Sequence, residues 1–167
     1  SLPIPQSVEH LLRPKIDRLS SEARRTLMLL AVFQEAIEPR GVGAILGAER
    51  ETCLGALEEL TDAGILGWER ERATVTHTLL RESVYANVSP ARLSWLHGRV
   101  ALYLRDHTEN PPAGQLALHC HRAGLRSEAL GYSLTAAEEA EESGGVQEAI
   151  QFLFMALEDC EDRDLET

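Results

Sequence analysis

The chain has 167 residues, a formal net charge of −11 and 44% apolar residues, so it has room for one larger globular domain or two small ones. No apolar run is long enough to span a membrane, and the first residues lack the basic and apolar regions of a signal peptide. The three cysteines, Cys53, Cys120 and Cys160, are odd in number and far apart. This pattern argues against a disulfide framework and predicts a cytoplasmic protein.

The first helix that the sequence predicts with a clear start runs from Ser21 to Phe33, with Ser20 as its N-cap. Before it, residues 6–18 form a helical segment that Pro14 interrupts. After it, residues 36–38 are predicted to be extended, with Pro39 closing the segment.

Residues 40–77 predict two helices followed by a hairpin. A short helix over 42–46 stops at Gly47, and a second over 49–63 ends before Gly64, where a left-handed residue is usual. Strands near 66–68 and 74–77 are joined by a charged tip at 69–72. Helix, helix and hairpin after the helix at 21–33 predict a winged-helix domain over residues 20–88, preceded by a helical linker over 1–19.

The rest of the chain is predicted to be helical. Leu79 to Val84 begins one helix, and Ser89-Pro90 begins another that runs to His107, with Leu93, Leu96, Val100 and Leu104 on one stripe. Three further helices are predicted over 115–123, 127–142 and 146–159. Leu116-Ala117 recurs as Ala136-Ala137 after 20 residues, and the small residues resemble those of a tetratricopeptide repeat.

The fold class is therefore mainly α: a winged helix with a short β-hairpin, followed by an α-solenoid of tetratricopeptide-like helices over 89–167. The last helix carries an apolar face, which we expect the array to present to whatever follows Thr167. That face comprises Val146, Ala149, Ile150, Leu153, Ala156 and Leu157.

Charge is uneven along the chain. Residues 1–110 contain 13 basic and 15 acidic side chains, whereas residues 111–167 contain 3 basic and 12 acidic ones. The change coincides with the helix-breaking Asn110-Pro111-Pro112, which predicts a boundary between subdomains there.

Three stretches resemble a family, the bacterial signal-transduction ATPases with numerous domains. These stretches are His77 to Tyr85 (HTLLRESVY), Ser89-Pro90-Ala91-Arg92, and Leu96-His97 with Val100-Ala101. The family includes large ATP-binding LuxR-type transcription regulators and some multidomain cyclases. Its members carry an NTPase module followed by a helical linker, a winged helix and superhelical repeats. Residues 2–19 resemble the linker, residues 57–66 the winged helix, and residues 114–159 the first repeats.

The resemblance implies ATP or ADP for a full-length protein, an upstream NTPase module as partner, and a protein or small-molecule effector on the repeats. The sequence itself has no phosphate loop, because Gly41 to Gly47 lacks the preceding strand and the spacing of one. We therefore expect no cofactor in this fragment. No nucleophile has an identifiable histidine partner, so we expect a non-catalytic regulatory region that couples nucleotide state and effector binding to a transcriptional or signalling output.

His77 is the candidate site residue. In related switch ATPases of the eukaryotic immune type, a Met-His-Asp motif at the end of the winged helix places its histidine against the β-phosphate of ADP. The matching triplet here is Thr76-His77-Thr78, which keeps the histidine and lacks the aspartate. The resemblance implies that His77 senses the nucleotide state; the alternative is a histidine that caps the helix beginning near Leu79.

His119-Cys120-His121 invites a metal site, but residues two apart on a helix point about 200° apart. Structural histidines are the favoured interpretation, and no metal site is predicted.

Direct DNA binding, common among winged helices, is the alternative function. The candidate recognition helix carries five acidic residues and Arg50 alone, so DNA phosphates would repel it. The one basic cluster, Arg13, Lys15, Arg18, Arg24 and Arg25, precedes the predicted domain core. DNA binding by this fragment is therefore not expected, and a protein-interaction scaffold stays open.

Overall fold

The computed structural model describes residues 14–165, with side chains up to residue 160. This part of the chain divides after Pro90 into two compact units, which we call the first and second units. The predicted domain boundary at 88/89 lies two residues earlier. Of the predicted linker, residues 1–13 lie outside the described part, and residues 14–17 are helical.

The first unit contains four helices and two strands after this short helical segment: α1 (Ser21–Phe33), α2 (Pro39–Leu46), α3 (Arg50–Asp62), β1 (Leu66–Glu69), β2 (Arg72–Val75) and α4 (Thr78–Ala86). Ser20 caps α1 as predicted, because its Oγ accepts a hydrogen bond from the Ala23 amide at 3.1 Å. Left-handed residues end three of the helices: Gln34 after α1, Gly47 after α2, and Gly64 one residue beyond the C-cap of α3.

The β-hairpin is tighter than the sequence predicted. Leu66 pairs with Val75 and Glu69 with Arg72 in an antiparallel register, which leaves a two-residue turn at Arg70-Glu71. The second strand therefore ends at Val75, and the prediction that it runs to His77 is wrong. Glu69 and Arg72, which the sequence predicts to lie in the charged tip, are exposed strand residues opposite each other in the last rung, where opposite charges attract.

An isolated bridge extends the hairpin sheet by one residue. Ile37 and Ala73 exchange backbone hydrogen bonds of 3.0 and 2.8 Å, which confirms that residues 36–38 are extended. Pro39 does not merely close this segment, because it forms the first turn of α2. Proline suits that position, where an amide hydrogen would have no partner within the helix.

Large aliphatic side chains form the core of the first unit. Ten of them are at most 2% exposed: Leu27, Leu29, Leu30, Val32, Ile37, Val42, Ile45, Leu57, Leu60 and Ile65. They come from α1, α2 and α3, from the bridge residue Ile37, and from Ile65 just before β1. Each of these segments therefore contributes apolar side chains to a closed interior.

The second unit is a series of helices: α5 (Pro90–His107), α6 (Ala113–Ala123), α7 (Arg126–Glu142) and α8 (Val146–Leu165). Helix α7 packs against both α6 and α8. Gly124 and Gly144 adopt left-handed conformations at the two turns, where glycine has no steric penalty. The charge change at residues 110–112 is not a domain boundary, because α5 and α6 lie in one unit.

Small and polar residues dominate the core of the second unit. Its buried positions include Ala113, Ala117, Ala129, Ser133, Ala136, Ala137, Ala140, Ala149 and Ala156. Each recurrence noted over 20 residues, Leu116-Ala117 with Ala136-Ala137 and Ala129 with Ala149, joins buried positions. Within the described residues, no helix is both long and apolar enough to cross a membrane.

Candidate functional site

His77 lies between β2 and α4 with its side chain exposed. Its backbone occupies the N-cap position of α4, and its carbonyl accepts a hydrogen bond from the Arg81 amide at 3.1 Å. The imidazole itself makes no capping hydrogen bond. His77 therefore occupies the N-cap position that the alternative interpretation gave it, through its backbone and without a side-chain hydrogen bond, and the ring is accessible to a group outside the described residues.

An open groove of about 950 Å³ lies between α2, the start of α3 and the hairpin. Arg40, Arg50 and Arg70 line it together with Glu38 and Glu71, and the half-exposed Trp68 forms part of one wall. Arg40 pairs with Glu38 at 2.6 Å, which neutralises one of the three guanidinium groups. The groove is thus of mixed charge and lacks the strong positive field of a phosphate-binding surface.

The exposed side of α3 is acidic, as the sequence predicted. Glu51, Glu58 and Asp62 are exposed on it. Glu59 differs from them, because its carboxylate accepts hydrogen bonds from the Ser20 amide at 2.7 Å and the Ser20 hydroxyl at 2.6 Å. These hydrogen bonds lower the pKa of Glu59, and they join the start of α1 to α3.

Lys15 has a structural role that the sequence analysis missed. Its ammonium donates a 2.9 Å hydrogen bond to the Ala63 carbonyl at the C-terminus of α3, where the helix dipole favours a cation. The Lys15 side chain is solvent-exposed, so this hydrogen bond lies at the surface of the first unit. Arg25 likewise pairs with Glu22 within α1 at 3.1 Å.

Two buried histidines face each other in the second unit. The Nδ1 atoms of His97 on α5 and His119 on α6 are 2.8 Å apart, and the side chains are 3% and 5% exposed. Only one proton fits between the two nitrogens, so the two rings cannot both be charged, and two neutral rings need opposite tautomers. Burial, with His119 and then Arg122 nearby, lowers the pKa of His97 to about 3, and burial lowers that of His119 to about 4.

His121 points away from this pair and towards α8. Its Nδ1 lies 3.0 Å from Oδ1 of Asp159, which also accepts a hydrogen bond from Arg126 at 3.3 Å. Asp159 is fully buried, and its second oxygen has no hydrogen-bond partner. His119 and His121 therefore have different partners, as expected from their spacing, and the described residues contain no cluster suited to a metal ion.

The predicted apolar face of α8 divides into two. Ala149 and Ala156 are buried against the preceding helices, whereas four larger residues at helical spacing are exposed. We call these four the apolar stripe: Val146 (63% exposed), Ile150 (42%), Leu153 (47%) and Leu157 (58%). Phe154, 64% exposed, lies beside it. The stripe differs from the expected single face because the smallest residues allow α8 to approach α7 most closely.

The cysteines complete the candidate reactive groups. Cys53 and Cys120 are buried, Cys160 is partly buried, and all three are free thiols. Burial raises the pKa of Cys53, and it raises that of Cys120 to about 11.

Comparison with known proteins returned no match: no family model, no curated protein and no solved structure is similar to this chain.

Proposed function

We propose that the chain is the non-catalytic regulatory region of a signal-transduction ATPase, with a winged helix in its first unit and tetratricopeptide-like repeats in its second. It would couple the nucleotide state of an upstream NTPase module, and an effector on the repeats, to a transcriptional or signalling output in the cytoplasm. The observation that carries the proposal is the exposed His77 at the end of the hairpin, followed directly by a helical array.

Several features support the winged-helix assignment. Three helices precede a two-stranded hairpin, and Ile37 adds a one-residue bridge to its second strand. In that order the sheet closes one side of a helical core, and the core residues come from all three helices. The repeat assignment is supported by the 20-residue recurrence of small buried residues and the glycine turns between helices.

His77 is the proposed nucleotide sensor. An imidazole can donate a hydrogen bond to a diphosphate without carrying a full charge at neutral pH. The exposed ring at the N-cap of α4 is free to reach a nucleotide held by another module, because it has no capping hydrogen bond of its own.

The test uses a protein that carries this chain together with its NTPase module. His77→Ala should weaken ADP retention and raise activity without inducer. A hydrogen bond to a charged group contributes about 1.5–3 kcal/mol, which changes the closed-to-open ratio about ten- to a hundredfold. Dissociation of fluorescent ADP after a chase measures the first effect.

His107→Ala is the matched control, because His107 is also an exposed histidine but lies at the end of α5. Equal ADP dissociation from the parent protein and the His77→Ala variant would overturn the sensor role. A gene product without a phosphate loop upstream of Ser1 would overturn the family assignment itself.

Direct DNA binding is the weaker candidate. The first unit would present the acidic residues Glu51, Glu58 and Asp62 to the phosphate backbone, and the arginines of its groove are partly neutralised. A gel mobility shift with random duplex at low salt separates the two candidates, because non-specific affinity is strongest there. A shift at micromolar protein would favour the DNA-binding alternative.

A further inference from the structure

We propose that the apolar stripe of α8 is a docking surface for one amphipathic helix of a partner protein, with basic residues along both flanks of its apolar face. This inference does not depend on the proposed function, since it rests only on the second unit.

The spacing of the stripe fits a helix. Val146, Ile150, Leu153 and Leu157 follow one another at intervals of four, three and four residues, which places them on one side of α8. At 1.5 Å per residue they cover about 16 Å along the axis, or three turns. Ridges of this kind accept the side-chain rows of a second helix, whereas a single extended strand would leave its own backbone groups unpaired.

The 20-residue recurrence allows the stripe residues of α8 to be compared with the corresponding residues of α7. Shifted by 20 residues, Leu153 and Leu157 correspond to Ser133 and Ala137 of α7, which are 0% and 6% exposed. By contrast Ala149 and Ala156 correspond to Ala129 and Ala136, and all four are buried. Helix α7 has a neighbour on each side, α6 and α8. Val146 and Ile150 correspond to Arg126 and Leu130, which are partly exposed. The repeat therefore identifies Leu153 and Leu157 as the stripe positions that are buried in α7, the helix with two neighbours.

The negative charge of α7 and α8 favours a docked helix that carries basic residues. Residues 126–160, which form α7 and the side-chain-described part of α8, contain eight acidic side chains and one basic side chain, Arg126. Glu158, which directly follows Leu157 of the stripe, is exposed on α8, and the stretch 146–160 has no basic residue. A helix with basic flanks gains attraction here, because complementary potentials speed encounter and suppress unsuitable partners.

The same charge disfavours the other occupants of an exposed apolar patch. A second copy using this stripe would bring two acidic surfaces together, since residues 126–160 contain eight acidic side chains and one basic one, and the chain as a whole has a net charge of −11. An anionic membrane surface would likewise repel α7 and α8, since such surfaces attract basic segments.

The experiment measures binding of fluorescent synthetic helices to the 167-residue protein by anisotropy. One peptide has apolar residues at i, i+4, i+7 and i+11 with lysine and arginine flanks, a second has glutamate in place of those basic residues, and a third is a scramble of the first. We expect saturable binding of the basic peptide, about tenfold or more weaker binding of the acidic one, and none of the scramble. Raising the salt concentration should narrow the difference between the first two peptides.

Leu153→Asp tests the site, because Leu153 is exposed and its replacement leaves the core intact. Leu102→Asp on α5 is the matched control, since Leu102 is 40% exposed against 47% for Leu153. We expect Leu153→Asp to abolish saturable binding and Leu102→Asp to retain it. Equal losses in the two variants, or equal binding of the basic and acidic peptides, would overturn the proposal.

Two other outcomes also overturn it. In the first, the protein self-associates in sedimentation velocity, the basic peptide does not compete with this association, and Leu153→Asp abolishes it. The stripe would then bind a second copy of the chain. If binding requires vesicles of anionic lipid and no peptide binds, the stripe is a membrane contact.

Discussion

The two units bury their apolar residues in opposite ways. The first unit encloses large aliphatic side chains, ten of them at most 2% exposed, and among its described residues Trp68 is the one large apolar residue exposed by 40% or more. The second unit packs through alanine and exposes larger apolar residues, including Trp95 and Leu102 on α5, Leu134 on α7 and the apolar stripe on α8. In a closed core, apolar side chains cover one another on all sides. In a linear array of helices, a helix that lacks a neighbour on one side keeps an apolar surface there.

The chain provides one reporter for each unit, since Trp68 lies on β1 and Trp95 on α5 and there is no other tryptophan. Trp95→Phe leaves a protein whose tryptophan fluorescence follows the first unit, and Trp68→Phe one that follows the second. Urea unfolding of these two backgrounds therefore gives the free energy of unfolding of each unit separately.

The largest expected effect is on the closed core. Leu57→Ala should lower the free energy of unfolding of the first unit by about 3–5 kcal/mol, because it removes a fully buried side chain and leaves a cavity. The urea midpoint of Trp68 fluorescence measures it. Ala136→Gly, at an equally buried position of α7, should cost the second unit only about 1 kcal/mol. Similar losses in the two variants would contradict the contrast between the cores.

Acid should act mainly on the second unit. His97 and His119 have pKa values of about 3 and 4 in the folded chain against an ordinary 6.5. Below pH 6.5 the unfolded chain binds protons that the folded chain does not, so stability is complete above that pH and falls as the pH decreases towards 4. At pH 5.5 the loss should be about 2–3 kcal/mol for the pair.

The urea midpoint of Trp95 fluorescence between pH 7.5 and 5 checks this, with Trp68 as the internal comparison. The double variant His97→Leu, His119→Leu should remove most of the pH dependence, because leucine does not titrate and replacing both partners of a buried hydrogen bond is nearly neutral. An unchanged slope in that variant would show that other groups cause it.

Much of this contrast could be read from the sequence, because it depends on local pattern. The periodicity and the residues at helix ends, Ser20, Gly47 and Gly64, predicted most helix boundaries to within a few residues. The pairs that hold the units together could not be read in this way. Lys15 and Ala63 are 48 residues apart, and His121 and Asp159 are 38 apart, so only the tertiary fold brings them together.

One of the missed pairs did leave a signal. His97 lies four residues after Leu93 and three before Val100, on the stripe that the sequence analysis identified as the inner side of α5. A histidine in phase with a buried stripe needs a polar partner, and His119 could have been sought on that ground. The division of the α8 face could not have been foreseen, since leucine and alanine both count as apolar and only packing shows which one approaches α7.

The smallest expected effect sharpens the comparison most. Leu153→Gln should change the free energy of unfolding of the second unit by less than about 0.5 kcal/mol, because the side chain is half-exposed and glutamine has similar helix propensity. Leu116→Ala, in the same unit but at 1% exposure, should cost about 2–5 kcal/mol. Trp95 fluorescence in urea measures both.

A loss above about 1.5 kcal/mol for Leu153→Gln would mean that the stripe is covered within the chain itself, because an apolar side chain contributes on that scale only when it is removed from water. A negligible loss, with the peptide-binding defect of Leu153→Asp, would separate what the stripe contributes to folding from what it contributes to association.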